Sequence, residues 1–326
     1  MLFRNLIASA LAAMLCLPTW AATLTPEQQT AKEKGIDLYN QYKAISAEPY
    51  LEIAAQAGDR EAQYYLGEAL RLNNRFMTEE AYKWYVAAAE QGDYYAMYRL
   101  SGTGSDLCSV MGNCPPDRKT PGDWLLLGRK TAQALAEKGD SEAMYVLYYL
   151  SNNFEWIEKS AEAGFPIAQY DLARLYDQGK GFFFPPWKRG EKIENLLKKS
   201  AEGGYAKGMG QYMGVLHKKG DLKGARYWLE MAAKKGSQAA VGSYGAYLAH
   251  TPDQLGYKLD LVKGYGLVSL LQELDGGGGV EEYVADKMEA ISAKMTPEQI
   301  EQAKAFAEEW KATHPPLSFF PSKLGF

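Results

Sequence analysis

The sequence predicts an all-α fold, a solenoid of helical hairpins ended by a C-terminal capping helix. Two observations predict it. A helix end with one recurring grammar occurs six times, and an Ala-x-x-x-Leu helix face follows it in four successive copies. The helix ends are "LEIAAQAGD" at Gly58, "YVAAAEQGD" at Gly92, "AQALAEKGD" at Gly139, "IEKSAEAGF" at Gly164, "LKKSAEGGY" at Gly204 and "LEMAAKKGS" at Gly236. Small residues stand three and four before the glycine: Ala54-Ala55, Ala88-Ala89, Ser160-Ala161, Ser200-Ala201 and Ala232-Ala233. The third copy keeps only Ala136. Small side chains let a neighbouring helix approach closely, and glycine takes the left-handed conformation that ends a helix. The glycine spacings of 34, 47, 25, 40 and 32 scatter about one period, as hairpin repeats with loops of varying length require.

The second half of each repeat begins after the glycine. Ala62, Ala96, Ala143 and Ala168 are equivalent, and Leu66, Leu100, Leu147 and Leu172 follow four later, which marks one face of a helix. The fifth and sixth copies put Gly208/Tyr212 and Ala240/Tyr244 there. Each repeat is therefore helix A, loop, helix B and glycine turn.

Taken from the start, residues 1–21 read as a secretory signal peptide. Arg4 precedes an apolar run from Leu6 to Leu17, Pro18 breaks it, and Thr19 and Ala21 flank a cut after Ala21. The run of about 12 residues is short of the roughly 20 that span a bilayer. Leu15 stands where a lipoprotein signal before Cys16 needs a small residue. The expected location is the periplasm of a Gram-negative cell. Residues 22–46 predict an N-terminal capping helix, 47–272 the repeats, and 273–326 a linker, a C-terminal capping helix and a tail. "DGGGG" (Asp275–Gly279) is the expected break. Thr296 is the expected N-cap of the last helix, with Pro297 in its first turn and His314 before a Pro-Pro stop.

Composition narrows function by exclusion. The chain has 326 residues, 47% hydrophobic and 23% charged, with a net charge of −4, which is an ordinary globular balance. No basic tract offers a nucleic-acid footprint or an anionic-membrane patch, and no membrane insertion is expected. Loss of the signal leaves Cys108 and Cys114 in a Gly/Asn/Pro-rich loop. An oxidising compartment favours a disulfide between them, stabilising by about 2 kcal/mol. A redox or metal pair is the rival, against which stand the spacing and the lack of a nearby histidine. The three histidines, His217, His250 and His314, lack visible co-ligands, so no metal and no cofactor are expected. "GMGQYMG" has the wrong spacing for a phosphate loop and lies on a helix A. No nucleophile motif is present, and no catalytic residue is assigned.

The pattern Ala-x-x-x-Leu-Gly followed by Trp-Tyr-x-x-Ala-Ala-x-x-Gly-Asp resembles the Sel1-like repeat, a relative of the tetratricopeptide repeat. The fullest copy runs from Ala62 to Asp93, with Leu66-Gly67, Ala81, Trp84-Tyr85, Ala88-Ala89 and Gly92-Asp93 in place. The resemblance covers residues 47–272 and implies a right-handed α-solenoid of Sel1-like repeats. It departs at the cysteine-bearing insert of the second copy, the short third copy, "GKGFFFPPWKRGEK" in the fourth and the degenerate sixth.

In such solenoids the A helices line a concave face. Residues two and six after the repeat alanine are expected to point into it: Tyr64 and Glu68, Tyr98 and Gly102, Tyr145 and Tyr149, Tyr170 and Arg174. Tyrosine at one place in four repeats makes a ladder suited to binding, with repeat packing as the equal alternative. Phe182, Phe183, Phe184 and Trp187 either plug a neighbouring groove or protrude towards a partner. Exported Sel1-like proteins include immunity proteins that neutralise phospholipase D-type effectors of type VI secretion, and the closing "PPLSFFPSKLGF" resembles the tails of that group. The resemblance therefore implies a non-enzymatic protein that binds and sterically covers a secreted lipase effector. A periplasmic regulator or adaptor, binding a sensor or envelope-assembly protein, is the second reading. A β-lactam-binding or hydrolytic enzyme is the third. The penicillin-linked members carry a cysteine pair in every repeat, unlike this chain.

Overall fold

A computed structural model describes residues 23–102, 107–112, 118–274 and 280–324. The expected signal peptide, Cys114 and Asp275–Gly279 lie outside the described residues, as does the expected Cys108–Cys114 bridge. Seventeen α-helices follow one another among the described residues. They are α1 Pro26–Asn40, α2 Ala44–Gln56, α3 Arg60–Asn74, α4 Glu79–Glu90, α5 Tyr94–Ser101 and α6 Leu107–Met111. Then come α7 Pro121–Ala136, α8 Ser141–Ser151, α9 Phe154–Glu162, α10 Pro166–Asp177, α11 Lys188–Glu202 and α12 Ala206–Lys218. The last are α13 Leu222–Lys234, α14 Gln238–Leu248, α15 Leu261–Ser269, α16 Val280–Ser292 and α17 Pro297–Thr313. Packing runs in chain order, α1 on α2, α2 on α3 and so to α14 on α15, with the five-residue α6 set aside; α17 then folds back on α15. Contacts of this quasi-one-dimensional kind define an α-solenoid.

The glycine turns are built as the pattern requires. Gly58, Gly92, Gly139, Gly164, Gly204 and Gly236 all have φ between 81° and 95°. At the second turn the Gly92 amide donates to Ala89 O (2.9 Å) and the Asp93 amide to Ala88 O (3.1 Å), closing the helix end. The aspartate after the glycine then starts the next helix: Asp59, Asp93 and Asp140 accept from the amides of Ala62, Ala96 and Ala143. The Gly-Asp dipeptide thus ends helix B and opens helix A in two residues. In the fourth and fifth copies Phe165 and Tyr205 replace that cap and make no side-chain cap bond.

The core is where the pattern put it. The repeat alanines Ala62, Ala96, Ala143 and Ala168 and the leucines Leu66, Leu100, Leu147 and Leu172 are all buried. Where serine replaces alanine before the glycine, its hydroxyl is engaged: Ser160 Oγ donates to Ser141 O (2.6 Å) and Ser200 Oγ to Pro166 O (2.7 Å). Gly208, in place of the repeat alanine, lies close against Ser200, whereas the copy with the equivalent Ser160 keeps Ala168. A Cβ on Gly208 would lie 2.3 Å from Ser200 Oγ. Gly208→Ala should therefore destabilise by about 1–3 kcal/mol through overpacking. Urea unfolding checks this, and adding Ser200→Ala should restore part of the loss.

The C-terminal helix is capped as expected. Thr296 forms a capping box with Gln299, Pro297 occupies the first turn and His314 is the C-cap. The segment read as linker is largely structured: α16 fills much of it and buries Val280, Val284 and Ile291. After α17, residues 315–324 carry no helix. They cross the molecule, and Ser318 pairs with Ser237 in the single β-bridge among the described residues. None of the described helices is long and apolar enough to cross a membrane.

Candidate protein-binding surface

The tyrosine ladder exists as a seam of rings, but much of it faces inward. Tyr64 and Tyr145 are 2% exposed and Glu68 is fully buried, so these three are not open groove residues. Tyr145 meets the next A helix, and Tyr64 the segment after α17, before either meets solvent. Tyr145 Oη donates to Asp171 on α10 (2.5 Å), and its ring lies edge-on to Tyr149 at 5.2 Å. Burial raises the Asp171 carboxyl above its ordinary value, while the Tyr145 hydrogen bond and Arg174 pull the other way. Tyr98, Tyr149 and Tyr170 are half-buried and Arg174 is exposed. Tyr98 packs edge-on to Tyr149 at 6.1 Å, and Arg174 sits over the Tyr170 ring at 5.7 Å. Burial pushes the Tyr149 hydroxyl up to about 12. Gly102 is exposed at the end of α5. Packing therefore accounts for Tyr64, Glu68 and Tyr145, and surface is left at Tyr98, Tyr149, Tyr170 and Arg174.

Around Glu68 the structure assembles a cluster that the sequence pattern did not single out. Arg99 on α5 grips both carboxylate oxygens, Nε to Oε1 at 2.5 Å and Nη2 to Oε2 at 3.0 Å. Arg71 donates to Oε2 (3.1 Å), Tyr39 to Oε2 (3.1 Å) and Tyr85 to Oε1 (2.6 Å). Burial alone would lower the Arg99 guanidinium, but the Glu68 carboxylate raises it well above its usual value. Burial, then the same carboxylate, raises the Tyr64 and Tyr85 hydroxyls far above theirs. This pairing is between repeats, so no within-repeat pattern reveals it. One signal did exist, an Arg and an Asp three after the alanines of two copies, at Arg99 and Asp171.

The aromatic insert between α10 and α11 is different. Phe182, Phe184 and Trp187 are 90%, 77% and 68% exposed. Phe183 is turned in, edge-on to Tyr176 at 4.9 Å. Beneath it Arg189 donates to Tyr176 O (2.6 Å), Lys180 O (2.8 Å) and Gly181 O (3.1 Å), with its guanidinium 4.8 Å from the Phe183 ring. Gly179 and Gly181 supply the positive φ that the bend needs, 95° and 73°. The loop is thus pinned from below while three large apolar groups point outward. Of the four residues, only Phe183 acts as a plug.

No group of three or more His, Cys, Asp or Glu that could hold a metal occurs among the described residues. His250 Nε2 is 2.8 Å from Tyr257 O, and the His314 ring stacks on Trp310 at 3.7 Å. A cleft of about 510 Å³ opens beside α15, α16 and α17, lined by Tyr265, Glu273, Met288, Lys304 and Lys311 among others. Its serine, Ser269, donates to Gly266 O (2.8 Å), and no histidine lines it.

No family model matches the sequence, and no curated protein matches it. Solved structures do match. The chain is similar in fold to Sel1-repeat proteins. A protective antigen of uropathogenic Escherichia coli, displaying an SLR fold, is 20% identical with a TM-score of 0.48, over 89% of this chain and 62% of that one. This chain thus spans 62% of that antigen's length. A Sel1 repeat protein from Oxalobacter formigenes is 23% identical with a TM-score of 0.38, over 73% of this chain and 95% of that one. An immunity protein from Pseudomonas aeruginosa is 17% identical with a TM-score of 0.41, over 74% and 86%. These likenesses concern the fold alone and say nothing of what this chain binds.

Proposed function

We propose that this chain is an exported, protein-binding solenoid that clasps a secreted phospholipase-type toxin and covers its active site. The observation that carries the reading is the pinned insert, which holds Phe182, Phe184 and Trp187 outward on a rigid base. Three large apolar side chains exposed on one loop are the kind of surface that marks an interaction site, and a preorganised loop loses little entropy on binding. Tyr98, Tyr149, Tyr170 and Arg174 extend the contact along the A helices, with tyrosine and arginine the residue types favoured at binding hot spots. The mechanism is steric and needs no catalytic residue, metal or cofactor from this chain.

Co-purification of the tagged mature protein from periplasmic extract tests the reading. A stoichiometric secreted lipase is the expected companion. A sensor ectodomain or an envelope-assembly factor in its place would favour the regulator or adaptor role. Turnover of nitrocefin would favour the enzymatic one. Export also predicts the disulfide between Cys108 and Cys114. The mass of the mature protein should rise by about 2 Da on reduction, and an unchanged mass refutes the bridge.

A further inference from the structure

We propose that the cleft between α3 and α5 is a binding site for an extended, lysine-bearing peptide segment, and that the chain's own residues 315–324 occupy it as a displaceable ligand in cis. The inference goes beyond the proposed function, because it concerns the chemistry of the cleft and holds whether or not the partner is a lipase.

The segment leaves α17 and runs without helix across the molecule. It is held first by backbone. Ser318 N donates to Gly236 O (2.8 Å), Gln238 N donates to Ser318 O (3.2 Å), and Phe319 N donates to Asn40 O (2.9 Å). Phe319 stacks on Tyr42 with ring centroids 4.4 Å apart. Further on, Lys323 enters a site with two halves. Its carbonyl accepts from Tyr64 Oη (2.5 Å) and from Arg99 Nη2 (3.2 Å), the guanidinium already fixed by Glu68. Its ammonium lies 5.1 Å from the Tyr95 ring centroid, 5.6 Å from that of Tyr65, and 3.7 Å from Glu61 Oε1. Leu324 beyond it is buried. A donor pair for a main-chain carbonyl, two aromatic faces and a carboxylate for a cation, and a covered place for an aliphatic side chain together form a peptide subsite.

Two features mark the segment as a ligand of the helices. It has no helix of its own, and it is anchored by main-chain hydrogen bonds, one ring stack, one cation site and the buried side chains of Leu317 and Leu324. A tethered occupant of this kind acts at an effective concentration in the millimolar range, so a competing segment binds with an affinity reduced by the fraction of time the cleft is open.

The test uses a fluorescein-labelled peptide with the sequence of residues 315–324, titrated into the full chain and into its Lys323→Glu variant. Lys323→Glu sets the tail's charge against Glu61 and weakens the internal occupant. The variant should bind the peptide about tenfold more tightly than the wild-type chain. A peptide carrying the same Lys-to-Glu change should not bind either. Equal affinity of both chains, or no binding to the folded variant, overturns the proposal. If the variant fails to fold, amide exchange in the wild-type chain decides. Excess peptide should speed exchange at residues 318–324 and leave α12 and α13 unchanged, whereas tail amides that stay protected under saturating peptide overturn it.

Discussion

Glu68→Ala is expected to destabilise the folded chain by about 3–5 kcal/mol, the largest single-residue effect in the molecule. The carboxylate is fully buried and accepts from two arginines and two tyrosines. Taking it away leaves the Arg99 guanidinium, 10% exposed, facing Arg71 with no negative charge between them. It also takes the acceptor away from the Tyr39 and Tyr85 hydroxyls. Removing the carboxylate costs far more than the pair contributed, because the desolvation of the arginines remains and its attraction is gone. The loss is a large fraction of the total for a domain of ordinary stability. Urea unfolding measures it. Glu68→Gln keeps the shape and two acceptor lone pairs, so its cost should be smaller. A change under 1 kcal/mol for the alanine variant would show that water replaces the carboxylate and that the cluster is not a keystone.

Replacing Phe182, Phe184 and Trp187 together by alanine should weaken partner binding by more than about 2 kcal/mol, or roughly thirtyfold, with stability changed by less than about 0.5 kcal/mol. The two halves of this expectation come from one fact. The three side chains are exposed, so the fold does not depend on them, while Arg189 and Phe183 hold the loop beneath them. Phe183→Ala is the contrasting control. It should loosen the loop by removing the ring between Tyr176 and Arg189, and so weaken binding indirectly. Calorimetric titration with the partner and thermal unfolding of the free variant separate the cases. Unchanged affinity in the triple variant would move the contact to the Tyr98, Tyr149 and Tyr170 surface.

The fold was legible because its signals are local. A glycine at the left-handed position and an aspartate at the N-cap are read within a few residues, and the Gly92-Asp93 turn behaves as those rules demand. The capping box at Thr296 is equally local. α16 was missed because the Asp275–Gly279 run reads as a break and the helix after it belongs to no repeat. The site was less legible. Helical phase puts Tyr64 and Tyr145 on helix A but does not say whether the space beside them is solvent, a neighbouring helix or the tail. Here it is the tail for Tyr64 and α10 for Tyr145. The Glu68 cluster joins residues 31 apart in sequence, from Glu68 to Arg99, and the cleft site joins Tyr64 to Lys323, 259 apart. Periodicity relates Glu68 to Arg99, about one repeat on, without saying that the two side chains pair, and it does not reach from Tyr64 to Lys323 at all. The aromatic insert was legible only as two alternatives, plug or protrusion, and the structure divides them, with Phe183 inward and Phe182, Phe184 and Trp187 outward.

The most direct test of the account is an inhibition titration. The lipase that co-purifies would be assayed against increasing amounts of the wild-type protein and of the Phe182/Phe184/Trp187 triple alanine variant. The account predicts that turnover falls to background at one equivalent of wild type and persists with the variant. Full lipase activity in the presence of several equivalents of bound wild-type protein would contradict it.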